Sequence, residues 1–488
     1  MKKFRKAIMA FTILGSLTLF SQTDAEAADQ ISNKCNYVSK PGVNPDLKTM
    51  NCLLTETALS NDVPPEIVKA IAEGESGDWK QFDSSGNPVI TDDNGIGVMQ
   101  VTNQSNYSEE RLKADVVYNI QAGIEILDQM FKRSDLPKIN GGERDVLEHW
   151  YFAIMAYNGT KPVNSPIIQA TGERNTEAYQ EKIIRIIEKL GLIQLTELPF
   201  STQDFEYNSS SSENIKFNTK HYQFDLPFTK TKHQFITGQI AETTTAVNLR
   251  SEPTTDSTSN GTLTKGERVT IQGHFEYEQV PARKNHFVWY PVKRSDGSTG
   301  YVASSYLDFR FIDVPGGHYA EEEIYYLADR NILRGVSYNS FGLKQNLTRW
   351  QAVLLLVRAN NVSLEDRPDP GFSDVPKSYP YYSEISAAVD EGIFAGKSKT
   401  AFKPDDKLTR SEMAVLLQRL YSFPETASQH PFTDVKSNAW YTDSINRMYN
   451  AGITGGITET KFGPSATVTR EQFAVFLTRA VNPSYRLK

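Results

Sequence analysis

The sequence predicts a multidomain protein with three kinds of folded unit: a mostly α-helical domain, a small β-barrel, and an α-helical bundle built from repeats. Three observations predict this organisation. Apolar residues recur at helical spacing within residues 60–195, and short β-rich segments separated by turn signals fill residues 237–308. After residue 309, one motif recurs at intervals of about 60 residues. A chain of 488 residues is long enough for several such domains.

Residues 1–27 have the pattern of a secretory signal peptide. Basic residues at the start are followed by an apolar run from Ala7 to Phe20 and by the small-residue site Ala25-Glu26-Ala27. The apolar run is short for a membrane span, and no later apolar run is long enough for one. We therefore expect a secreted protein without a transmembrane segment.

Charge and cysteine content narrow the function further. The formal net charge of −7 argues against nucleic-acid binding. Cys35 and Cys52 both lie in residues 28–59, directly after the signal, and in an oxidising compartment we expect them to form a disulfide. Two cysteines and seven histidines without ligand spacing predict no metal site, and no cofactor is expected.

Glu75 is the most informative residue of the helical domain. Ile67, Ile71 and Glu75 follow one another at four-residue steps, so a helix over residues 64–77 places them on one face. Glu66, Lys69 and Glu73 fall on the opposite face, which we expect to be solvated. Apolar surroundings raise the pKa of a carboxyl group and keep it protonated near neutrality, as a general acid requires. The alternative is a buried glutamate satisfied by a backbone or hydroxyl partner.

Four motifs, of which the first contains Glu75, occur in a fixed order. They are Glu75-Ser76-Gly77, Gly97-Val98-Met99-Gln100, Asn119-Ile120 with Gly123, and Ala156-Tyr157-Asn158. Together they resemble the lytic transglycosylase family of lysozyme-like folds, over roughly residues 60–190. A fainter match covers 176–179, where Asn175 stands at a position that is usually glutamate. The resemblance implies that Glu75 is the catalytic acid and base and that a sugar-binding groove is lined by Ser76, Met99, Gln100, Tyr157, Asn158 and Tyr179.

The middle of the chain contains two segments with different sequence patterns. Residues 196–236 lose periodicity and include four consecutive serines, so we interpret them as a linker. Residues 237–308 contain candidate strands at 247–250, 267–271, 287–292 and 300–302. Asn248-Leu249-Arg250-Ser251 and Gly300-Tyr301-Val302 resemble the bacterial SH3 family, which often binds wall peptides. A spacer barrel without a ligand of its own is the alternative.

The C-terminal part contains one unit written three times, over residues 309–366, 367–427 and 428–488. A Phe-x-Asp-Val motif and a following Thr-Arg pair recur in each copy at the same two separations. Each copy predicts two helices, and the second opens with a capping box. The recurring charged residues are Asp313, Asp374 and Asp434 with Arg349, Arg410 and Arg470.

An arginine in the first turn of a helix opposes the helix dipole, so its threefold recurrence suggests a use. Beside unsatisfied N–H groups, a guanidinium would form an anion site suited to a carboxylate. The alternative is an ion pair between each arginine and the aspartate of its own copy. Both arrangements can coexist.

These copies resemble S-layer homology domains. The resemblance implies a pseudo-threefold bundle whose grooves bind pyruvylated secondary cell wall polysaccharide. It implies contacts from the three arginines, the three aspartates, and Gly335, Gly396, Gly456 and Trp440. The first copy departs from the pattern, with Asn331 in place of a glycine and Trp350-Gln351 after its arginine.

The sequence therefore predicts a secreted autolysin attached to the cell wall or S-layer. It would cleave the β-1,4 bond between N-acetylmuramic acid and N-acetylglucosamine in peptidoglycan glycan strands and leave 1,6-anhydro ends. Two alternatives remain open: a goose-type muramidase that uses Asp92 or Asp93 as a second carboxylate, and a non-catalytic S-layer-associated protein. Endolytic or exolytic mode, the ligand of the SH3-like barrel, the binding-competent grooves and the oligomeric state are left undetermined.

Overall fold

The computed structural model describes residues 28–337, 339–425 and 428–488. The predicted signal peptide lies outside the described residues. The chain divides into two compact units: the first holds the described residues up to 222 with 230–238 and 242–308, and the second holds 223–229, 239–241 and 309–488. No helix among the described residues is long and apolar enough to cross a membrane.

The first unit begins with a helical region whose local signals define its elements. Pro65 opens the helix that carries Glu75, and Asp46, Ser108 and Asp115 accept main-chain N–H groups as N-caps of three others. A disulfide joins Cys35, which precedes the first of these helices, to Cys52 within it. The helices are α1 (Leu47–Ser60), α2 (Pro65–Ser76), α3 (Glu109–Ala114), α4 (Val116–Lys132), α5 (Tyr151–Asn158) and α6 (Tyr179–Gly191).

The core of this region is apolar and continuous. Leu53 and Leu54 of α1, Ile71 of α2, Ile120 of α4 and Ile154 of α5 are 0–1% exposed. Each fully buried aliphatic side chain contributes about 1.5–3 kcal/mol. This core holds α2 rigidly, and α2 carries Glu75 near its C-terminal end.

Residues 197–222 pack against the helical region, so the interpretation of 196–236 as a linker does not hold for this part. Strand β4 (His221–Tyr222) pairs in parallel with β1 (Lys138–Ile139). Phe152 of α5 stacks on Tyr222, with 5.7 Å between ring centroids. The aromatic side chains of this segment are buried at irregular spacing, so they give no periodic signal in the sequence. The antiparallel pair β2 (Phe205–Glu206) and β3 (Lys216–Phe217) completes the segment.

A β-rich segment follows, and its strands match four of the predicted ones closely. Ile240–Thr243 and Leu307–Arg310 are its first and last strands, β5 and β11. Between them, five strands form the antiparallel order β8-β9-β10-β6-β7. They are β6 (Val247–Arg250), β7 (Ser259–Leu263), β8 (Arg268–Ile271), β9 (Trp289–Lys293) and β10 (Thr299–Ala303). The strand Ser259–Leu263 was not predicted, because its serine, asparagine and glycine resemble a turn.

The second unit repeats one pair of helices three times. The three capping boxes are confirmed: Thr348 with Gln351, Thr409 with Glu412, and Thr469 with Gln472. The first helix of each copy packs against the second helix of another copy. The helices are α7 (Glu321–Asp329), α8 (Arg349–Ala359), α9 (Tyr382–Asp390), α10 (Arg410–Tyr421), α11 (Thr442–Asn450) and α12 (Arg470–Val481).

Main-chain hydrogen bonds close the three copies into a ring. Leu347 N donates to Val468 O, Val468 N donates to Leu408 O, and Leu408 N donates to Leu347 O, each at 2.9 Å. Each of these residues directly precedes the Thr-Arg pair of its copy. The ring therefore fixes all three arginine-bearing helices in equivalent positions.

Candidate active site and the three arginine sites

Glu75 lies one residue before the end of α2, at the helix terminus formed by Gly77. Gly77 adopts φ of 57°, and its N–H donates to Glu73 O, so the chain turns away directly after Glu75. The Tyr179 hydroxyl, at the start of α6, donates a hydrogen bond to Glu75 Oε1. The structure therefore shows the arrangement of the alternative, a buried glutamate with a hydroxyl partner.

Burial raises the pKa of Glu75 from 4.5 to about 7. The Tyr179 hydrogen bond opposes this rise, and the negative charge of Asp93 adds to it. Burial also raises the pKa of Tyr179 and Tyr157 well above 10, so both remain neutral donors. A carboxyl group with this pKa is partly protonated at neutral pH and can both donate and accept a proton.

Two buried amide side chains hold the glycine-rich loop that follows α2. Gln81 Oε1 accepts Val98 N at 3.0 Å, and Asn119 Oδ1 accepts Met99 N at 2.9 Å. A side chain at Gly97 would collide with both amides, and φ is 72° there. The sequence analysis missed Gln81, because a single glutamine between Trp79 and Phe82 belongs to no periodic pattern or motif.

Three of the predicted sugar-binding residues already make side-chain hydrogen bonds within the protein. Tyr157 donates its hydroxyl to Met99 O at 2.7 Å, and Gln100 is committed to Gly97 O and to the Thr91 hydroxyl, both at 2.7 Å. Ser76 donates to Ala72 O at 2.8 Å within its own helix. These hydrogen bonds fix the positions of the three side chains and occupy their polar groups.

Asn164 is a second amide that the sequence did not reveal. It is 3% exposed; its Nδ2 donates to Asn158 Oδ1 at 3.0 Å and its Oδ1 accepts Tyr179 N at 3.1 Å. Asn164 therefore ties the end of α5 to the start of α6 and positions the tyrosine that contacts Glu75. Asn158 thus has a structural partner, and Met99 is fully buried against Gly123.

Asp93 occupies a turn next to the site. The Thr91 hydroxyl donates to Asp93 Oδ1 at 2.5 Å, and Asn94 adopts φ of 66°. Aspartate, asparagine and glycine favour turns, so Asp92-Asp93-Asn94-Gly95 is suited to this one. Asp93 is nevertheless close enough to raise the pKa of Glu75, so it is the carboxylate that bears on the hydrolase alternative.

The prediction that Glu66 and Lys69 face solvent is wrong. Glu66 is 1% and Lys69 0% exposed, because residues 231–233 and 286 cover this face of α2. His233 bonds to both, with Nδ1 2.9 Å from Glu66 Oε1 and Nε2 3.0 Å from Lys69 Nζ. Glu66, Lys69 and His233 therefore form a buried polar network that anchors this face of α2.

The β-rich segment also reaches the end of α2 that bears Glu75. Lys284 Nζ donates at 2.7 Å to both Glu73 Oε1 and Asp78 Oδ1. The Trp79 ring lies 4.8 Å from the ring of His286. Because these contacts flank Glu75 in sequence, the β-rich segment is a structural part of the site region.

In the second unit, the arginines contact other copies rather than their own aspartates. Arg349 Nε donates to Phe402 O, Arg410 Nε to Phe462 O and Arg470 Nε to Phe341 O, at 2.7–3.0 Å. All three are 2–6% exposed, and each guanidinium lies over a phenylalanine ring. The alternative of an arginine paired with the aspartate of its own copy is therefore wrong.

The aspartates organise loops. Asp313 accepts the N–H groups of Phe341, Gly342 and Leu343 at 2.7–3.0 Å. Asp374 and Asp434 accept two equivalent N–H groups each in their own copies. Gly335, Gly396 and Gly456 lie in the same loops, where a side chain would collide with carbonyl oxygens.

Arg410 differs from its two counterparts. Arg349 Nη2 donates to Ala395 O and Arg470 Nη2 donates to Arg334 O, both at 2.7 Å. Arg410 Nη2 is buried without a hydrogen-bond partner among the described residues. Burial lowers the pKa of Arg410 to about 10. Arg410 therefore lacks the Nη2 hydrogen bond that its two counterparts make.

The departures of the first copy have local explanations. Asn331 adopts φ of 54°, as Gly392 and Gly452 do at the equivalent positions with φ of 68° and 73°. Asparagine tolerates this conformation better than other non-glycine residues. Trp350 stacks on Tyr381 with ring centroids 4.4 Å apart. Trp440 and Tyr319 are 65% and 63% exposed.

Comparison with known proteins matches four segments of the chain to three domain families. Residues 53–183 match the transglycosylase SLT domain, and residues 245–308 match the bacterial SH3 domain. Residues 371–414 and 431–474 match the S-layer homology domain, so the prediction of three such domains is supported for two copies.

Curated relatives share part of the chain. A surface-layer 125 kDa protein of Lysinibacillus sphaericus is 30% identical over 167 residues, 33% of this chain and 14% of the relative. An S-layer protein of Bacillus licheniformis is 29% identical over 171 residues, 34% of this chain and 19% of the relative. An endoglucanase of a Bacillus species is 36% identical over 112 residues, 22% of this chain and 11% of the relative.

The chain thus spans less than a fifth of the length of each of these relatives. The family matches cover separate segments, none of them half of the chain. The chain carries a transglycosylase SLT domain, a bacterial SH3 domain and two S-layer homology domains.

Proposed function

We propose that the protein is a peptidoglycan lytic transglycosylase held at the cell wall by its C-terminal repeats. The observation that carries the proposal is the partly buried Glu75, whose pKa is raised to about 7 and whose direct side-chain partner is the Tyr179 hydroxyl. The match of residues 53–183 to the transglycosylase SLT domain supports the same reaction class. A cell-wall or S-layer location is supported by the S-layer homology matches and the S-layer relatives.

The proposed reaction needs one carboxyl group. Protonated Glu75 donates to the glycosidic oxygen between N-acetylmuramic acid and N-acetylglucosamine, and the bond from muramyl C1 to that oxygen breaks. The Glu75 carboxylate then takes the proton of the muramyl C6 hydroxyl, whose oxygen bonds to C1. The product is a 1,6-anhydro end, no water is consumed, and Glu75 returns to its protonated form.

Product analysis tests this reaction. Purified peptidoglycan is digested with the full chain, and the fragments are weighed by mass spectrometry. We expect every new muramyl end to be lighter by one water than a hydrolysed end. Glu75→Gln should give no fragments, whereas Glu110→Gln, an exposed carboxylate of the same region, should digest normally.

A hydrolase is the second candidate, and Asp93 is the observation that favours it. Its charge acts on Glu75, so a carboxylate is present near the site. In that mechanism Asp93 would activate water, and all new ends would carry the added water. Such products, together with their loss in Asp93→Asn, would replace the transglycosylase proposal.

For wall attachment, the Arg410 site is the strongest of the three. Its buried Nη2–H has no acceptor among the described residues, which a carboxylate of a wall polysaccharide would supply, and the phenol of Tyr319 lies close enough to interact electrostatically with Arg410. Pyruvylated polysaccharide fits this chemistry because its pyruvyl group carries a carboxylate. The matching domain family supports the assignment.

Sedimentation with purified cell wall tests the attachment. We expect Arg410→Lys, made in the Glu75→Gln background to prevent digestion, to reduce the bound fraction severalfold. Arg367→Lys is the matched control, because Arg367 is an arginine of the same unit that pairs with Asp390 and Glu391. Equal sedimentation of both variants would remove Arg410 from wall attachment.

A further inference from the structure

A basic cavity of about 590 Å³ lies on the side of α2 that bears Glu73. Helix α6 provides one wall, and Lys284 of the β-rich segment provides another. Gly74 lets the two helices approach closely, because a Cβ there would lie 2.7 Å from Ile183 Cδ1. The lining residues are Glu73, Lys182, Arg185, Ile186, Lys189, Leu190 and Lys284.

The charge of the cavity is opposite to that of the chain. Four cationic side chains and one carboxylate line it, in a protein whose net charge is −7. Three cations already have acceptors: Lys182 with Glu177 at 3.3 Å, Arg185 with Thr176 O at 2.6 Å, and Lys284 with Glu73. Lys189 forms no ion pair or hydrogen bond with any described residue. The cavity therefore attracts an anion.

Glu73 adds a second requirement. Its Oε1 accepts from Lys284, but its Oε2 is buried without a hydrogen-bond partner among the described residues. A buried carboxylate oxygen without a donor costs about 1–3 kcal/mol. A ligand that supplies an N–H group to Glu73 and a carboxylate to Lys189 would satisfy both groups.

We propose that this cavity binds the peptide part of the wall polymer, a short peptide with free carboxylates and an amino or amide N–H group. This inference rests on the proposed function, which makes that polymer the substrate. The apolar side chains of Ile186 and Leu190 would contact the aliphatic parts of the peptide. A phosphate polymer would satisfy the cations but would be repelled by Glu73.

The position of the cavity fits a peptide attached to the sugar at Glu75. Glu73 and Glu75 are two residues apart, so their side chains point to different sides of α2 just before the helix ends. A helix is about 10 Å across, and a three-residue peptide spans about 10 Å when extended. The peptide can therefore pass around the end of α2 at Gly77. The volume is within the range of about 300–1,000 Å³ that is usual for ligand pockets.

Titration of the full chain with the tripeptide L-Ala-γ-D-Glu-meso-diaminopimelate tests the proposal. By calorimetry we expect saturable binding that weakens at least about fivefold in Lys189→Glu, as expected for loss of a charge-assisted hydrogen bond. Lys265→Glu, an exposed lysine outside the cavity, is the control and should bind as the wild type does. Absence of saturable binding, or equal affinity in Lys189→Glu and the wild type, would overturn the proposal.

Poly(glycerol phosphate) serves as the competing probe. We expect no saturable binding of this polymer to the wild type, because Glu73 repels its phosphate groups. Phosphate polymer binding that is lost in this variant while the tripeptide does not bind would assign the cavity to a phosphate polymer and overturn the peptide.

A cleavage assay separates this proposal from the proposed function. The KM for peptide-bearing peptidoglycan is compared with the KM for glycan strands stripped of their peptides. We expect the wild type to prefer the peptide-bearing form and Lys189→Glu to lose most of that preference. If the wild type cleaves neither substrate, the proposed function fails, and the tripeptide titration still decides the cavity.

Discussion

Glu66 and Glu75 lie on the same helix and are shielded from water, yet their environments have opposite effects. Glu75 contacts a neutral phenol and lies near the charge of Asp93, so burial raises its pKa to about 7. Burial works in the same direction at Glu66, but His233 and the Lys232 N–H outweigh it, so the pKa of Glu66 is lowered. Burial alone therefore does not decide protonation; the partners do.

The two environments suit different tasks. Glu75 can store a proton for release to a substrate, whereas Glu66 stays ionised and accepts hydrogen bonds from Thr231, Lys232 and His233. The first arrangement costs stability near neutral pH, and the second anchors the helix. The following experiments test this contrast, from the largest expected effect to the smallest.

Glu75→Gln should remove catalysis while keeping the fold. Loss of a general acid and base lowers the rate by about 10²–10⁴-fold. Turbidity loss of a peptidoglycan suspension measures the rate, and circular dichroism checks the fold. Glu110→Gln is the control. Equal turbidity loss from Glu75→Gln and the wild type would remove Glu75 from the mechanism and end the comparison.

Glu66→Ala should destabilise the first unit by about 3–5 kcal/mol, because it leaves Lys69 buried without its charge partner. Urea unfolding followed by tryptophan fluorescence measures the loss. The double variant Glu66→Gln with Lys69→Met should recover part of it, since neither buried group is then charged. A loss below about 1 kcal/mol would show that the network does not anchor α2.

The pH dependence of stability should differ between Glu75→Gln and the wild type. The folded pKa of about 7 lies above the ordinary value of 4.5, so the carboxyl stabilises the fold below pH 4.5, and this contribution is lost as the pH rises to 7. The shift corresponds to at most about 3 kcal/mol. We expect Glu75→Gln to gain stability relative to the wild type between pH 4 and pH 8. A constant difference over this range would contradict the raised pKa.

Tyr179→Phe should have the smallest effect. The Tyr179 hydrogen bond lowers the pKa of Glu75, so its removal raises that pKa further. We expect the alkaline limb of the pH–rate profile to move upward by about one to two units at most, because one hydrogen bond to a charged group is worth about 1.5–3 kcal/mol. Tyr207→Phe is the control. A downward shift would mean that Tyr179 stabilises the protonated acid instead.

Local patterns predicted much of the fold and part of the site. Four-residue spacing placed Glu75 with Ile71 on the inner face of α2, and alternation with turn signals found four of the strands. The capping boxes of the repeats could be predicted because the N-cap residue and its partner lie three residues apart in the sequence. Each of these signals is contained within one element.

The failures share one cause, which is contact between distant residues. We predicted that Lys69 and Glu66 face solvent, because the sequence of α2 does not indicate that His233 covers them. His233 lies more than 160 residues later in the chain. Gln81 and Asn164 carry no pattern at all, and they matter only because main-chain groups of other segments need partners.

The sequence by itself determined which residues form helices and strands, that one motif is repeated three times, and that Glu75 points inward. Only the tertiary structure decided which charges are buried, which partner each arginine receives, and that Arg410 is the one of the three whose Nη2 makes no hydrogen bond to a described residue. The physical reason is that periodicity records how a segment meets water or a core. It does not record which distant group will satisfy a buried charge, and that group sets the pKa.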